Sequence, residues 1–367
     1  MSVYFDNAAC ELPIFEVKQY VKDNLDLSYN ASAIYGHGVF NREVIENVRK
    51  QIAKKINCDP EEIYFTSGAT EANCLAINGY LQAHPNTDVI STTIEHSSIN
   101  DNPYVQKRIK VDRNGFVDIQ YLKNLCDKEL YTNDTLFVVQ HGNNEIGCVQ
   151  DLYRIRKAIP EGVLFVDAAQ TFGKVEIDVK KLNIDMLSAS ARKIGGLGAT
   201  GFLYVRKGIK LNPQNYGAQE NGLRGGTYFD LGIGAFGVAL EECSPRKNTI
   251  ISSKRTFLLD QLSEIKNVKL IGTRSNRLPG IVLIKINGIS LGSQELVGLL
   301  DSKGFEVSSG SACHAGTSKF SHVLEAIGET PETAPCVIRI SLGVENSVQE
   351  IQEFIKVLRS TIRMFKV

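Results

Sequence analysis

Val163-Leu164-Phe165-Val166-Asp167-Ala168-Ala169-Gln170 is an apolar run that stops on a carboxylate and two alanines. A second stretch, Met186-Leu187-Ser188-Ala189-Ser190-Ala191-Arg192-Lys193, ends on an arginine and a lysine ahead of the glycine-rich Gly195–Gly201. Short apolar runs bounded by polar ends suit strands covered on both faces, as in a parallel sheet flanked by helices. Working outward, the spacing predicts further strands at Ile63–Thr66, Asp88–Thr92, Thr135–Gln140 and Gly201–Val205. Helices are expected between them, at Glu43–Ile56, Thr70–Gln82 and Leu152–Ile159. The alternation gives an α/β fold with a mostly parallel sheet. Such sheets gather ligand groups at the carboxyl ends of their strands. Ser67–Thr70, Asn143–Glu145, Asp167–Gln170 and Ser190–Lys193 all fall at expected strand ends.

Past Ile250 the texture changes. A helix is expected at Ile250–Ile265, a strand at Gly280–Ile286, a helix from Ser293 and a strand near Val307. A β-rich run, Val337–Leu342, and a closing helix, Val348–Phe365, complete a smaller α+β unit. The expected division is a large domain at 15–249 and a small one made of 1–14 and 250–367, since 367 residues exceed one compact core. Lys+Arg and Asp+Glu both number 41, so no nucleic-acid or membrane surface is expected. The eight cysteines form neither a CxxC pair nor a cluster at metal-ligand spacing, so no metal site is expected. Met1-Ser2-Val3-Tyr4-Phe5-Asp6 lacks the basic and apolar regions of a signal peptide, so free thiols in a cytoplasmic protein are expected.

Five segments carry chemistry. Ser67-Gly68-Ala69-Thr70-Glu71-Ala72-Asn73 follows a strand and opens a helix, where small residues let N–H groups reach an anion, although an ordinary N-cap reads the same way. Asp167 could keep a pyridine nitrogen protonated or could cap a helix. Lys193, in a sheltered turn, could be a Schiff-base amine or a surface lysine before a loop. Ser308-Ser309-Gly310-Ser311-Ala312-Cys313-His314 surrounds one cysteine with small residues, which suits a presented thiol better than a structural one. Arg339, within Val337–Leu342, could grip a carboxylate or close a strand-edge ion pair.

Together and in order, these segments resemble the cysteine desulfurases of the class V aminotransferase family, from Tyr4-Phe5-Asp6-Asn7-Ala8-Ala9 to the final helix. The resemblance implies the aspartate-aminotransferase-like fold type I, whose large domain holds a mostly parallel seven-stranded sheet, and the cofactor pyridoxal 5'-phosphate. It implies that Lys193 bears the cofactor, His96 stacks on its ring, and Asp167 meets the ring nitrogen. Asn144 and Gln170 would approach the phenolic oxygen. Ala69, Thr70, Ser190 and Arg192 would hold the phosphate, with Thr227 reaching it from the other subunit of a homodimer. Arg339, with Asn144 beside it, would bind the substrate carboxylate. Cys313 would take the sulfur of L-cysteine as a persulfide and pass it to an acceptor protein, leaving L-alanine. Iron–sulfur assembly, transfer-RNA thiolation and DNA phosphorothioation are all compatible destinations.

Departures accompany the matches. Arg192 stands where the family usually has histidine, and a bidentate cation could make the same phosphate contact. Gly196-Leu197-Gly198-Ala199 replaces the usual glycine-proline-lysine-glycine, and Val344-Glu345 follows Gly343 where a basic residue is common. The stretch from Cys313 to Phe320 keeps the length of the long-loop subgroup. A selenocysteine lyase, another C–S lyase or a non-catalytic scaffold of the same fold stays open.

Overall fold

The computed structural model describes residues 2–127, 135–310 and 320–367. Strands, in chain order, are β1 (Val3–Tyr4), β2 (Ile63–Thr66), β3 (Val89–Thr92), β4 (Lys107–Ile109), β5 (Leu136–Gln140), β6 (Val163–Asp167) and β7 (Met186–Ser190). They continue with β8 (Gly201–Val205), β9 (Val268–Ile271), β10 (Ile281–Ile286), β11 (Phe305–Glu306), β12 (Ser308–Ser309) and β13 (Val337–Ser341). The helices are α1 (Phe15–Asn24), α2 (Gly36–Ile56), α3 (Ala69–Ala83), α4 (Ser97–Asn100), α5 (Ile119–Asp127) and α6 (Leu152–Ala158). Then come α7 (Asp230–Glu241), α8 (Pro245–Ser263), α9 (Ser293–Ser302), α10 (His322–Ala326) and α11 (Val348–Met364).

Seven strands form one sheet in the order β2-β8-β7-β6-β5-β3-β4. All neighbours are parallel except those of β8, which runs against both β2 and β7. This is the mostly parallel seven-stranded sheet implied above. β5 and β6 are buried at every position, which accounts for their unbroken apolar sequence. β4 supplies the seventh strand; with only three residues, Lys-Arg-Ile, it carries no periodic signal.

A second sheet, β12-β13-β10-β9, is antiparallel. Its strand β13 alternates faces. Ile338 and Ile340 enter an apolar cluster with Leu258, Leu296, Phe354 and Leu358, while Arg339 and Ser341 turn the other way. The strand expected near Val307 is two short ones on either side of that residue: β11 pairs with β1, and β12 with β13. Ser341 then clasps the N-terminal segment. Its Oγ accepts from the Ala8 N–H at 2.9 Å, and its carbonyl accepts from Asn7 Nδ2 at 2.9 Å.

Candidate active site

Strands β3, β5, β6 and β7 run parallel, so their carboxyl ends open along one edge of the sheet. A cleft of about 360 Å³ lies there. Of the residues expected around a cofactor, Ala69, Thr70, His96, Asn144, Asp167 and Gln170 line it, together with Ser190, Arg192, Lys193 and Arg339. A larger cleft of about 830 Å³, near Tyr153 and Arg277, holds none of them. Thr227 is exposed and outside the cleft. Its segment is nonetheless tied to the cleft wall, because Arg224 Nε donates to Glu71 Oε1 at 2.8 Å and Glu71 Oε2 accepts from the Ser67 N–H at 2.7 Å. Cys313 lies outside the described residues.

Asp167 ends β6 and is buried. Its Oδ1 accepts from the Ala169 N–H at 2.9 Å and its Oδ2 from Asn73 Nδ2 at 3.1 Å, so two donors fix its orientation. Lys193 closes the short turn after β7, and its Nζ donates to the carbonyls of Ala8 and Ala9 at 2.9 and 2.7 Å. Gln170 Nε2 donates to the same Ala8 carbonyl at 2.9 Å. The N-terminal segment therefore roofs the cleft over Lys193, a role that its sequence alone does not announce.

His96 caps α4, with Ser98 N–H and Oγ at 3.2 and 2.9 Å from its Nδ1. Burial lowers its pKa below the ordinary histidine value; Asp167 opposes that shift and Lys193 adds to it. The preceding Glu95 is wholly buried, and burial pushes its carboxyl up to about 8. Its Oε1 accepts from Thr92 Oγ1 at 2.6 Å and from the Gln140 N–H at 2.9 Å, which locks the turn that presents His96. Gln140 Nε2 in turn donates to Asn144 Oδ1 at 3.1 Å.

Arg339 is 1% exposed. One guanidinium nitrogen donates to the Asn144 carbonyl at 2.9 Å and the other to Asp6 Oδ1 at 2.6 Å. Close by, Glu145 Oε2 accepts from Ser321 Oγ at 2.7 Å; burial pushes this carboxyl up to about 7 against the pull of Arg339. Arg192 lines the cleft mouth, where a hydrogen bond to Cys10 holds its guanidinium above the ordinary arginine value.

The donor set fits a phosphorylated pyridine aldehyde. The N-terminus of α3 offers backbone N–H groups to an anion. Ahead of it Gly68, at φ +148°, has open space where a Cβ would stand. Gln170 Oε1 is buried at the cleft with no hydrogen-bond partner, and so is an acceptor in want of a donor. Asn73, Ser98, Glu95, Gln140, Glu145 and Asp6 complete the network and were not read as site residues from the sequence. The long-range partners of Asp6, Asn73 and Glu145 are brought to them by the fold, and the local signal is that these three stand inside motif stretches and that Glu95 precedes His96. Among the described residues no group of three or more His, Cys, Asp or Glu is placed to hold a metal, and no helix is long and apolar enough to cross a membrane.

The model of the aminotransferase class-V family matches residues 3–354. A protein named cysteine desulfurase IscS 1 from Archaeoglobus fulgidus is 36% identical over 352 residues, covering 92% of this chain and 90% of that protein. The solved structure of a NifS-like protein from Rickettsia africae is similar with a TM-score of 0.88 and 30% identity, covering 99% of this chain and 100% of that one. A structure of SspA in complex with cysteine is similar with a TM-score of 0.80 and 29% identity, covering 95% of this chain and 100% of that one.

Proposed function

Because the chain belongs to the aminotransferase class-V family, we propose that it is a pyridoxal-phosphate-dependent cysteine desulfurase. One observation carries the reading: the Lys193 amine, the Asp167 carboxylate and the Arg339 guanidinium meet in a single cleft, as an enzyme acting on an α-amino acid requires.

Ala69, Thr70, Ser190 and Arg192 would hold the cofactor phosphate, with Thr227 of a second subunit. Asp167 would meet the ring nitrogen, His96 the ring, and Asn144 and Gln170 its phenolic oxygen. Pyridoxal phosphate, when bound, supplies an electron sink for the bond-breaking at the amino acid. Arg339 would orient L-cysteine by its carboxylate, and the Lys193 amine would take the α-proton. The Cys313 thiolate attacks the substrate sulfur, so that an S–S bond forms as the carbon–sulfur bond breaks. The electron pair stays with the β-carbon, which takes up a proton, and Lys193 returns the α-proton to the α-carbon, so that L-alanine leaves. His96 would carry the proton that the β-carbon takes up. The persulfide on Cys313 then passes its outer sulfur to an acceptor protein.

The same reading divides the chain into a cofactor-binding unit at 15–249 and a smaller unit from 1–14 and 250–367. The active unit is a homodimer. Exposed Leu27, Tyr29, Tyr216 and Phe229 lie near Thr227, held there by Ser28 Oγ donating to Asp230 Oδ1 at 2.6 Å and by the Gly225 N–H donating to the Asn215 carbonyl at 2.8 Å. Seven cysteines among the described residues are free thiols, which suits a reducing cytoplasm.

The test is the purified protein given cysteine and a reductant. A yellow protein that makes alanine and sulfide in equal amounts, and loses both with Cys313→Ser, supports the reading. Activity on selenocysteine alone that survives Cys313→Ser would replace it with a selenocysteine lyase. A colourless protein that cannot be reconstituted with pyridoxal phosphate would overturn it.

A further inference from the structure

Asn73 sits on the first turns of α3, 1% exposed, between two groups that face the cleft. Its Nδ2 donates to Asp167 Oδ2 at 3.1 Å and to Ser98 Oγ at 2.9 Å, while its Oδ1 accepts from Ser188 Oγ at 2.6 Å. The orientation of the amide is decided by chemistry. An ionised carboxylate only accepts, so the atom facing Asp167 must be the nitrogen. The second N–H of that nitrogen then occupies a lone pair of Ser98 Oγ, which leaves the Ser98 hydrogen for His96 Nδ1 at 2.9 Å. The Ser98 backbone N–H also points at Nδ1, at 3.2 Å, and a backbone N–H can only donate. Nδ1 is therefore the lone-pair nitrogen of His96, and its ring hydrogen is on Nε2.

We propose that Asn73 is a positioning residue that joins the two sides of the cofactor ring: one amide N–H holds the Asp167 carboxylate, and the other orients the Ser98 hydroxyl, which adds its hydrogen to the backbone N–H already at His96 Nδ1 and so holds the imidazole in place. The inference rests on the reading above, in which Asp167 meets the ring nitrogen and His96 the ring. It adds that the two are set together by one side chain. The amide is anchored by Ser188 on β7, so a single buried asparagine ties α3, β6, β7 and α4 into one unit. Asn73 also lines the cleft, and the part proposed for it is played through its two neighbours.

The variants divide the two arms. Ser98→Ala removes the hydroxyl arm and leaves Asn73 on Asp167. Asn73→Ala removes both, and Asn73→Asp keeps the shape while placing a second carboxylate against Asp167. Each is purified as holoenzyme and read in three ways: the absorbance of the resting yellow protein against pH, the pH profile of kcat for alanine formation, and KM for cysteine. Asn73→Asp is expected to shift the midpoint of the resting absorbance titration by about one pH unit or more, because a like charge beside Asp167 raises the proton affinity of both. Ser98→Ala is expected to leave that titration unchanged and to displace the kcat profile. Asn73→Ala is expected to alter both, with kcat down about tenfold and KM within about threefold of wild type. Wild-type titration and wild-type kcat profile in Asn73→Asp would overturn the proposal. If Asn73→Ala does not fold, shown by circular dichroism, Ser98→Ala decides: a kcat profile identical to wild type overturns the His96 arm. A wild-type protein that is itself inert toward cysteine would instead fail the desulfurase reading, with the resting absorbance titration of the variants still testing the Asp167 arm.

Discussion

Arg339 is held in place by Asn144 and Asp6, and its strand alternation points it away from the apolar cluster that holds Ile338 and Ile340. A planar fork gripped on two sides has its remaining N–H groups set for a carboxylate. Arg339→Lys keeps the charge and loses the fork, so KM for cysteine should rise about tenfold to a hundredfold with a smaller fall in kcat, measured by steady-state alanine formation. Glu145 gives a second test at this scale. Its carboxyl is raised from 4.5 to about 7 by burial, so the native state binds more protons than the unfolded chain between those values. Stability from this group is therefore lost as pH rises through that window, by up to about 3 kcal/mol. Glu145→Gln has no proton to lose and still accepts from Ser321. Its melting temperature relative to wild type should climb between about pH 5 and about pH 8; a flat or falling difference would contradict the assignment. Asp167 and Lys193 were legible in the sequence because each ends or follows an apolar strand run. Asp6 and Asn73 were not: their partners Arg339 and Asp167 are 333 and 94 residues away along the chain.

At the scale of elements, the cradle at the start of α3 depends on a close approach of backbones. A Cβ on Gly201 would stand 2.5 Å from the Ala189 carbonyl and 2.6 Å from the Gly68 Cα, so β8, β7 and the loop before α3 leave no room for one. Gly201→Ala must push one of them aside. It should cost about 1–3 kcal/mol in urea unfolding and weaken pyridoxal-phosphate binding at least about tenfold, followed by fluorescence titration of the apoprotein. Stability lost with unchanged cofactor affinity would separate the cradle from the strand packing. The buried strands were readable for the reason β5 and β6 illustrate, that both faces are covered. The helix α7 was not: its sequence, Asp230-Leu231-Gly232-Ile233-Gly234-Ala235-Phe236-Gly237, is apolar nearly all round and glycine-rich, so no amphipathic stripe marks it. The fold uses those glycines where α1 and α2 press on α7, with Tyr20 against Gly234 and Val48 against Gly237. β11 owes its existence to β1, far earlier in the chain, and the short edge strands β4 and β9 had no pattern to show.

For the whole molecule the open quantity is which subunit completes the site. Thr227 is exposed and outside the cleft, although Arg224, three residues earlier, is bonded to Glu71 at the cleft wall. Around it stand Tyr216, 86% exposed, and Phe229, 43% exposed, with Leu27 and Tyr29 alongside. Exposed apolar side chains next to the segment proposed to reach the phosphate are what a second copy would cover. The proposed dimer makes a prediction that a monomeric site cannot imitate. Lys193→Ala protein and Thr227→Glu protein should each be inactive alone, the first lacking its amine and the second placing a carboxylate against the phosphate. In a mixed dimer one site combines both defects. The other has an intact Lys193 and receives an intact Thr227 from its neighbour. Co-expression with two affinity tags isolates the mixed species, which should recover about half the alanine formation of wild type, one working site in two. If Thr227 served its own subunit, each site of the mixed dimer would carry one defect and no activity would return.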